Sequence, residues 1–227
     1  MDDKQRVGLE AAKQVKDGMV VGLGTGSTAT HFIRELARRI RDEKLSIQCV
    51  SSSFACSLLA RAEGLTLLSA DQAERIDLYV DGADEVSPEK GLIKGRGAAM
   101  VGEKLLAEAC ASFLVIVDEG KLVKRLGAKF PVPVEIMPAA VRLVQPGIIA
   151  LGGKPVLRLA PGGKDGPVVS DNGNLILDVT FPADPDWSAL DSALNCLPGV
   201  VGHGLFLRYA KKSTILVGHP GGVRVLP

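Results

Sequence analysis

Residues 19–40 read MVVGLGTGSTATHFIRELARRI, in which a short apolar stretch, a loop of glycines and hydroxyl residues, and an amphipathic stretch follow one another. The apolar stretch 19–23 predicts a strand, and the spacing of apolar residues over 29–40 predicts a helix. At a loop of this kind, backbone N–H groups and the helix N-terminus can receive a phosphate. The stretch therefore predicts a β-α unit with a candidate anion-binding loop.

The spacing of this loop argues against a nucleotide ligand. The dinucleotide fingerprint requires G-x-G-x-x-G, and its sixth position here is Ser27. The Lys-Ser/Thr ending of a nucleoside triphosphate loop is missing as well. A small phosphoester fits better than NAD or ATP. The same residues would also suit a tight strand-to-helix turn that Ser27 or Thr28 caps, and both interpretations stay open here.

The β-α alternation extends on both sides of this unit. Apolar spacing predicts, in order, helix 4–15, strand 47–50, helix 55–63, strand 66–68, strand 76–80, a helix from residue 98 and strand 113–117. This pattern predicts a parallel sheet flanked by helices. The serines at 51–53 and Asp81 each follow a strand. We therefore expect them at the same carboxyl edge as loop 24–28, where such folds bind ligands.

The composition changes after Gly127, where residues 129–138, KFPVPVEIMP, carry three prolines that exclude a regular helix. The predicted elements then follow the split βαβ plan, βαββαβ, over 134–136, 139–149, 156–159, 175–179, 188–195 and 200–206. Asn172-Gly173 predicts a hairpin turn within it. Strands 214–217 and 223–226 should rejoin the first sheet. The predicted domains are 1–129 with 208–227, and 130–207.

The bulk composition excludes several functional classes. The 227 residues include 27 basic and 26 acidic ones, so no broad charge favours nucleic acid or an anionic membrane as a partner. No apolar run approaches the ~20 residues of a membrane helix, and the start, MDDKQR, lacks the apolar core of a secretory signal, so we expect a cytoplasmic protein. The four cysteines and three histidines lack metal or redox spacing, which predicts reduced, mostly buried thiols and no zinc site.

Residues 81–103, DGADEVSPEKGLIKGRGAAMVGE, bring together the groups that proton transfer on a small anion requires. Asp81 and Asp84 form an acidic turn, and Lys94 enters a glycine-rich loop whose N–H groups can stabilise an oxyanion. Such a set needs neither a metal nor an organic cofactor. For the two aspartates the alternative is a capped acidic turn without a catalytic role.

Glu103 is the candidate general base. On the predicted helix, 100° per residue places it at the border of an apolar face whose centre is formed by Ala98, Gly102, Leu105 and Ala109. Partial desolvation at that border would increase the basicity of the carboxylate. The alternative is a border glutamate that forms a salt bridge with a lysine.

Together these stretches resemble the ribose-5-phosphate isomerases of the A type over nearly the whole chain. The matching segments are GLGTGSTATHFI, VSSS, YVDGADEV, LIKGRGAAMVGEK, KFPVPVEI, VVSDNGNLILDV and LPGVVGHGLF. The resemblance implies an α/β fold, with a Rossmann-like parallel sheet domain and a smaller ferredoxin-like α+β domain. It also implies a homodimer or tetramer in the pentose phosphate pathway, with no required cofactor or metal. The implied reaction interconverts ribose 5-phosphate and ribulose 5-phosphate through a cis-enediolate.

The resemblance also assigns roles to individual residues. Glu103 matches the catalytic base, which would remove the C2 proton and return it to C1. Asp81 would move hydroxyl protons, and Lys94 would stabilise the oxyanion. The implied substrate-binding residues are Thr25, Gly26, Ser27, Thr28, Asp81, Gly82, Ala83, Asp84, Lys94, Gly95, Arg96, Gly97, Lys121 and, less directly, Lys4.

Two positions depart from the family pattern. Arg96 stands where the family's KGGGAA loop has its middle glycine, and it would add a phosphate or intersubunit contact or simply point to solvent. Phe54 stands where an aspartate commonly follows the three serines. Both departures affect how the substrate is held without removing a candidate catalytic group.

Three other functions compete with isomerisation. A related sugar-phosphate enzyme would release ammonia from an amino sugar or open a lactone. A phosphosugar-sensing module would keep loop 24–28 but need neither Glu103 nor Lys94, and it would usually carry a DNA-binding segment, which is not visible here. A nicotinamide oxidoreductase is least favoured because the loop spacing is wrong for the cofactor.

Overall fold

The computed structural model describes residues 1–163, 165–182 and 185–226. They form two compact units. The first comprises Met1–Ala83, Gly102–Leu122 and Tyr209–Pro227, and the second comprises Asp84–Val101 and Val123–Arg208. Residues 84–101, 123–129 and 208, which we expected in the first domain, group with the second unit. The predicted domain limits stay a prediction.

The elements in chain order follow the predicted alternation closely. The helices are α1 (Asp3–Ala12), α2 (Ser27–Glu43), α3 (Phe54–Ala62), α4 (Met100–Ala109), α5 (Val141–Ala150) and α6 (Trp187–Asn195). The strands are β1 (Val20–Leu23), β2 (Gln48–Ser51), β3 (Leu67–Leu68), β4 (Ile76–Asp81), β5 (Glu85–Val86), β6 (Leu92–Ile93), β7 (Cys110–Asp118), β8 (Val132–Ile136), β9 (Lys154–Leu157), β10 (Leu175–Thr180), β11 (Val200–His203), β12 (Leu205–Phe206), β13 (Ser213–His219) and β14 (Gly222–Val225).

A seven-stranded sheet organises the first unit, in the order β14-β13-β7-β4-β1-β2-β3. All neighbours are parallel except β13 and β14, which are antiparallel. The six parallel strands, counted along the chain, lie in the Rossmann order 3-2-1-4-5-6. This confirms the Rossmann-like parallel sheet. The strand order reverses between β1 and β4, so the two loops that follow these strands flank the point where such sheets bind ligands.

The packing of α2 against this unit follows from its sequence pattern. Its buried residues recur every three or four positions and form one apolar stripe, made of Ala29, Phe32, Ile33, Leu36 and Ala37. Arg38 lies on the outer side and forms ion pairs with Glu35 and Asp42. Gly8 of α1 contacts the same helix, because a Cβ there would lie 2.8 Å from the Cβ of His31. The missing side chain lets the two helices approach closely.

The second unit contains an antiparallel sheet in the order β11-β8-β10-β9. With α5 after β8 and α6 after β10, it has the βαββαβ plan, which confirms the ferredoxin-like α+β prediction. Its core residues come from both the sheet and the helices, among them Val134, Ile136, Leu177, Val144 and Leu194. The hairpin turn predicted at Asn172-Gly173 is present, since Gly173 has a φ of +76° and Ser170 N–H donates to Asn174 O.

A small sheet of two-residue strands, β12-β6-β5, was not predicted. The predicted strand 200–206 is divided at Gly204, where β11 ends and β12 begins. Gly204 N–H donates to Pro133 O, and its carbonyl accepts the N–H of Lys94 at 2.9 Å. A Cβ at Gly204 would overlap the Lys94 carbonyl. Glycine thus lets the chain leave β8 and pair with the segment that carries Lys94.

The cysteines are free thiols; Cys49, Cys56 and Cys110 are buried, and Cys196 is exposed. Reduced, mostly buried thiols are therefore confirmed. Burial raises the pKa of Cys49 and of Cys56 to about 12. Within the described residues, no helix is long and apolar enough to cross a membrane, and no group of three or more His, Cys, Asp or Glu side chains could hold a metal ion.

We expect the folded protein to react with iodoacetamide at Cys196 while Cys49 and Cys56 react at least about 100-fold more slowly, because the thiolate is the nucleophile and burial suppresses it. Timed labelling at neutral pH followed by peptide mass spectrometry measures this ratio. Labelling in guanidinium should make all of the thiols reactive. The Cys196→Ser variant is the control and should lose the fast phase. Fast modification of Cys49 in folded protein would contradict the expectation.

Candidate active site

The loop after β1 lies against the aspartate that ends β4. Gly24 N–H donates to Val80 O at 2.9 Å, and Thr25 N–H donates to Oδ1 of Asp81 at 3.0 Å. A Cβ at Gly24 would overlap the Asp81 carboxylate. The glycine therefore lets the carboxylate reach the loop backbone, and the ends of β1 and β4 are joined where the strand order reverses.

Hydroxyl groups from β2 and its following turn join this loop. Thr25 Oγ1 forms hydrogen bonds with Ser52 Oγ at 3.0 Å and with Ser53 Oγ at 2.6 Å. Ser53 is also the N-cap of α3 and accepts the N–H of Cys56. The serines therefore lie beside the loop, at the common edge that a parallel sheet predicts. Phe54, the first residue of α3, is exposed.

The N-terminus of α2 has free space at its cap and a lysine beside it. Its N-cap is Gly26, with a φ of +105°, so the cap position has no side chain with which to bond the first amides. Ser27 and Thr28 lie inside the first turn, and the alternative in which one of them caps the helix is wrong. Lys4 Nζ donates to Ser27 Oγ at 3.0 Å. A 17-residue helix with an adjacent ammonium provides the amides, the dipole and the charge that phosphate prefers.

Asp81 is fully buried, and its carboxylate accepts hydrogen bonds from protein groups in place of water. Its Oδ1 accepts N–H groups from Thr25 and Gly82, the latter at 2.7 Å, and its Oδ2 accepts the hydroxyl of Tyr79. Tyr79 is also buried and stacks on Phe113 with ring centroids 4.8 Å apart. Burial, followed by the negative charges of Asp81 and Glu103, raises the pKa of Tyr79 well above its ordinary 10.0. Tyr79 is therefore a permanent donor to Asp81.

Glu103 lies on the buried face of α4 and is only 5% exposed. The apolar face that we predicted around Leu105 is wrong, since Leu105 is 61% exposed whereas Leu106 and Ala107 are buried with Glu103. Gly102 lies close to the turn after β2, because a Cβ there would overlap the Ser52 carbonyl. The helix packs through its glycine against the turn after β2. The observed buried face includes Glu103 and is centred about a third of a turn from the predicted one.

Lys121 ends the short 3-10 helix Glu119–Lys121, directly after β7. Because β7 is parallel to β4 and pairs with it, both strands end at the same edge of the sheet. Lys121 therefore lies at the edge that carries Asp81, and it is half-buried.

In the second unit, Asp84 and the glycine-rich loop are joined directly. Asp84 Oδ2 accepts the N–H of Arg96 at 3.0 Å, and Asp84 N–H donates to Ile93 O. Lys94 is 3% exposed, and its ammonium lies 5.5 Å from the centroid of the Phe206 ring, a cation–π arrangement. The predicted residues Asp84 and 94–97 thus form one local cluster.

The backbone of this loop explains why Arg96 is accepted. Gly95 has a φ of +101° and Ala98 a φ of +58°, whereas Arg96 is outside the left-handed region. A side chain is therefore permitted at position 96. The guanidinium lies 5.0 Å from the centroid of the Phe130 ring, and Arg96 is exposed, so its predicted phosphate or intersubunit contact stays a prediction.

Sequence reasoning missed four residues that hold these groups. Tyr79 reads as an ordinary core strand residue, and Glu85 reads as one more acid of the turn, yet its buried carboxylate accepts N–H groups from three residues of the segment 127–130. Arg158 and Asp178 contact each other, and Arg158 also contacts the loop carbonyls. Their only sequence signal is a pair of opposite charges, one on the predicted strand 156–159 and one on the predicted strand 175–179.

We expect Tyr79→Phe to lower the free energy of unfolding at pH 7 by about 1–3 kcal/mol, because a buried oxygen of Asp81 loses its donor. The pH dependence should change as well. The pKa of folded Tyr79 lies above 10.0, so the unfolded chain releases this proton first and stability falls as pH rises past 10. Without the hydroxyl, that fall should be shallower by up to about 1.4 kcal/mol per pH unit.

Urea unfolding of wild type and Tyr79→Phe at pH 7, 10 and 11 measures both effects. Parallel stability curves above pH 10 would contradict the assigned burial and charge environment of Tyr79.

Comparison with known proteins identifies the family. The family model for ribose 5-phosphate isomerase A (phosphoriboisomerase A) matches residues 48–222. Ribose-5-phosphate isomerase A of Thermosynechococcus vestitus is 50% identical over 216 residues, which cover 95% of this chain and 90% of that protein. The solved structure of ribose 5-phosphate isomerase A from Methanocaldococcus jannaschii has a TM-score of 0.92 at 45% identity, covering 98% of this chain and 96% of that one.

A second solved structure, of a D-ribose-5-phosphate isomerase in complex with phospho-erythronic acid, also has a TM-score of 0.92, at 41% identity over 98% of this chain and 96% of that one. Since the family model matches most of the sequence and relatives of the same name align over nearly all of it, this chain belongs to the ribose 5-phosphate isomerase A family.

Proposed function

We propose that this protein is an isomerase that interconverts D-ribose 5-phosphate and D-ribulose 5-phosphate. The observation that carries the proposal is the pair of loops at the strand-order reversal of the first unit. One presents the N-terminus of α2 beside Lys4, and the other presents buried Asp81. An anion site and a carboxylate on adjacent strands suit a phosphorylated sugar. Phospho-erythronic acid, bound by a relative, is such a compound, and its carboxylate carries two coplanar oxygens as an enediolate does.

The phosphate would bind at the first turn of α2. The backbone N–H groups of Ser27 and Thr28 begin this helix, and the Lys4 ammonium adjoins the Ser27 hydroxyl at 3.0 Å. Thr25 and Gly26 supply the turn into it. Amides at a helix end and one ammonium recognise a phosphate dianion without contacting a nucleotide base or ribose ring. This set of groups is consistent with a small phosphoester as ligand.

Glu103 would be the base. A single carboxylate on one face of a cis-enediolate can remove the C2 proton and deliver it to C1. The first turns of α4 hold Glu103 in place, because Gly102 packs on Ser52 and the carboxylate lies on the buried face. Lys121, at the same sheet edge as Asp81, would contact the substrate.

The remaining roles belong to the two aspartates and the loop of the second unit. Asp81, held by Tyr79 and Thr25, would accept a sugar hydroxyl proton during ring opening, and Asp84 would orient hydroxyl groups. Gly82 and Ala83 connect the two aspartates. Lys94 and the N–H groups of the loop would stabilise the developing oxyanion, each worth roughly 3–4 kcal/mol. Gly95 provides the left-handed turn, and Arg96 binds Asp84 through its N–H.

We also propose that the enzyme works in the cytoplasm, in the non-oxidative pentose phosphate pathway, as a homodimer or tetramer. Family membership supports these assignments. Light scattering coupled to gel filtration measures the number of subunits, and a monomer at micromolar concentration would exclude the homo-oligomer.

Purified protein should convert ribose 5-phosphate to ribulose 5-phosphate in buffer containing a chelator. Glu103→Gln should keep the fold and bind phospho-erythronic acid within about threefold of wild type, while kcat falls by at least about 100-fold, because the amide cannot accept the C2 proton. Glu108→Gln, an exposed glutamate on the same helix, is the matched control and should keep kcat.

Absence of ketose with well-folded wild type would overturn the isomerase proposal, and parallel assays for ammonia release and lactone opening would then identify the competing reaction. Near-normal turnover by Glu103→Gln would remove Glu103 from the role of base.

Lys4→Met should raise the KM for ribose 5-phosphate by about 5- to 30-fold with little change in kcat, because an ammonium near a helix N-terminus binds the phosphate equally in ground and transition states. Lys13→Met is the matched control, since Lys13 follows the same helix but pairs with Glu10 on its surface. Steady-state kinetics of the three proteins measures the effect, and an unchanged KM in Lys4→Met would exclude this phosphate contact.

A further inference from the structure

Arg158 joins the glycine-rich loop of the second unit to the sheet beneath it. Its Nε and Nη2 donate to the carboxylate of Asp178 on β10, at 2.8 and 2.5 Å. Its Nη1 donates to two loop carbonyls, Gly95 O at 3.1 Å and Arg96 O at 2.9 Å. The Arg158 side chain is 15% exposed and that of Asp178 is 25% exposed, so water competes little for these bonds.

These contacts occupy the guanidinium. The four bonds use four of its five N–H groups, so Arg158 has little capacity left to bind a substrate phosphate directly. The planar guanidinium instead fixes the loop relative to β10. Its two bonds to Asp178 set the plane of the group, and this plane determines the direction in which Nη1 donates.

Holding the carbonyls also sets the direction of the loop N–H groups. In a trans peptide, the C=O and N–H of one unit point in opposite directions. With Gly95 C=O turned to Arg158, the Arg96 N–H is turned away, and it donates to Asp84 Oδ2 at 3.0 Å. With Arg96 C=O turned to Arg158, the Gly97 N–H is likewise turned away from the guanidinium.

The loop needs such a restraint. Ala98 has a φ of +58°, which is unfavourable for a residue with a side chain, and Gly95 has a φ of +101°. Glycine adopts such a φ freely, but a residue with a side chain keeps it only where its surroundings hold it. The turn bond from Ala98 N–H to Gly95 O, at 3.0 Å, is local, whereas the bonds from Arg158 tie the same carbonyl to a sheet residue.

We propose that Arg158, held by Asp178, is a positioning residue for the reaction: it fixes the loop N–H groups that face the developing oxyanion and, through Arg96 N–H, the carboxylate of Asp84. This inference rests on the proposed isomerase function. A cavity of about 430 Å³ in the second unit has both Arg158 and Asp178 in its wall together with Asp84 and Arg96, so the restraint reaches the surface on which Asp84 acts.

The test compares Arg158→Met, Arg158→Lys and Asp178→Asn with wild type. We expect Arg158→Met to lower kcat by about 10- to 100-fold while the KM for ribose 5-phosphate stays within about threefold, because the restrained donors act on charge that develops in the transition state. Affinity for phospho-erythronic acid should fall in parallel with kcat, whereas inhibition by inorganic phosphate should not change. Arg158→Lys should not rescue kcat, because one ammonium cannot form the fork. Asp178→Asn should show an intermediate loss.

Arg142→Met, on the exposed side of α5, is the matched control and should behave as wild type. Thermal unfolding identifies variants that fail to fold, and if Arg158→Met is one of them, the two conservative variants carry the test. Folded variants with wild-type kcat and wild-type affinity for phospho-erythronic acid would overturn the inference, as would a raised KM with unchanged kcat. Wild type without isomerase activity would instead refute the proposed function. In that case, the affinities of the variants for phospho-erythronic acid and inorganic phosphate would still test whether Arg158 positions the loop.

Discussion

A carboxylate that is buried must regain from the protein the hydrogen bonds that water gave it, and in the first unit this requirement falls on Asp81. Two backbone N–H groups, from Thr25 and Gly82, and the Tyr79 hydroxyl meet it. The donors come from β4, from the turn after β4 and from the loop after β1, where the strand order reverses. Gly24 has no side chain and leaves the space that the carboxylate needs. The ends of β1 and β4 therefore have one compatible arrangement. The hydroxyls of Ser52 and Ser53 bond to Thr25, so β2 depends on the same carboxylate indirectly.

In the second unit, charged side chains of both signs hold two irregular segments through hydrogen bonds. Glu85 receives the N–H groups of Gly127, Lys129 and Phe130, and Arg158 donates to the carbonyls of Gly95 and Arg96. Irregular backbone cannot satisfy its own polar groups as a helix or sheet does, so charged side chains complete it. Charge-assisted bonds are shorter and stronger than neutral ones, which suits segments that must keep a strained conformation.

Much of this arrangement was predictable, because it follows from periodicity. The β-α alternation gave the parallel sheet, the βαββαβ order gave the second sheet, and strand ends located Asp81 at the ligand edge. What escaped prediction depends on contacts that periodicity does not encode. The two-residue strands β5 and β6 are too short to carry a pattern. Leu105 is exposed although it lies on the predicted apolar face, because periodicity does not say which side of a helix packs on its neighbours. Arg158 lies 62 positions from the loop that it bonds, and only the fold brings the two together.

The backbone of the 94–97 loop accepts a side chain at Arg96 without using it for the local hydrogen bonds. The groups of residue 96 that matter locally are its N–H, which binds Asp84, and its C=O, which binds Arg158. Any residue except proline supplies both. The conformations that restrict residue type fall at Gly95 and Ala98, on either side. A side chain at position 96 therefore leaves the hydrogen-bond pattern unchanged, and here it adds a stacking contact with Phe130, whose own N–H is anchored to Glu85. The Arg96 side chain thus contacts a segment that Glu85 holds, while its own backbone is held by Arg158.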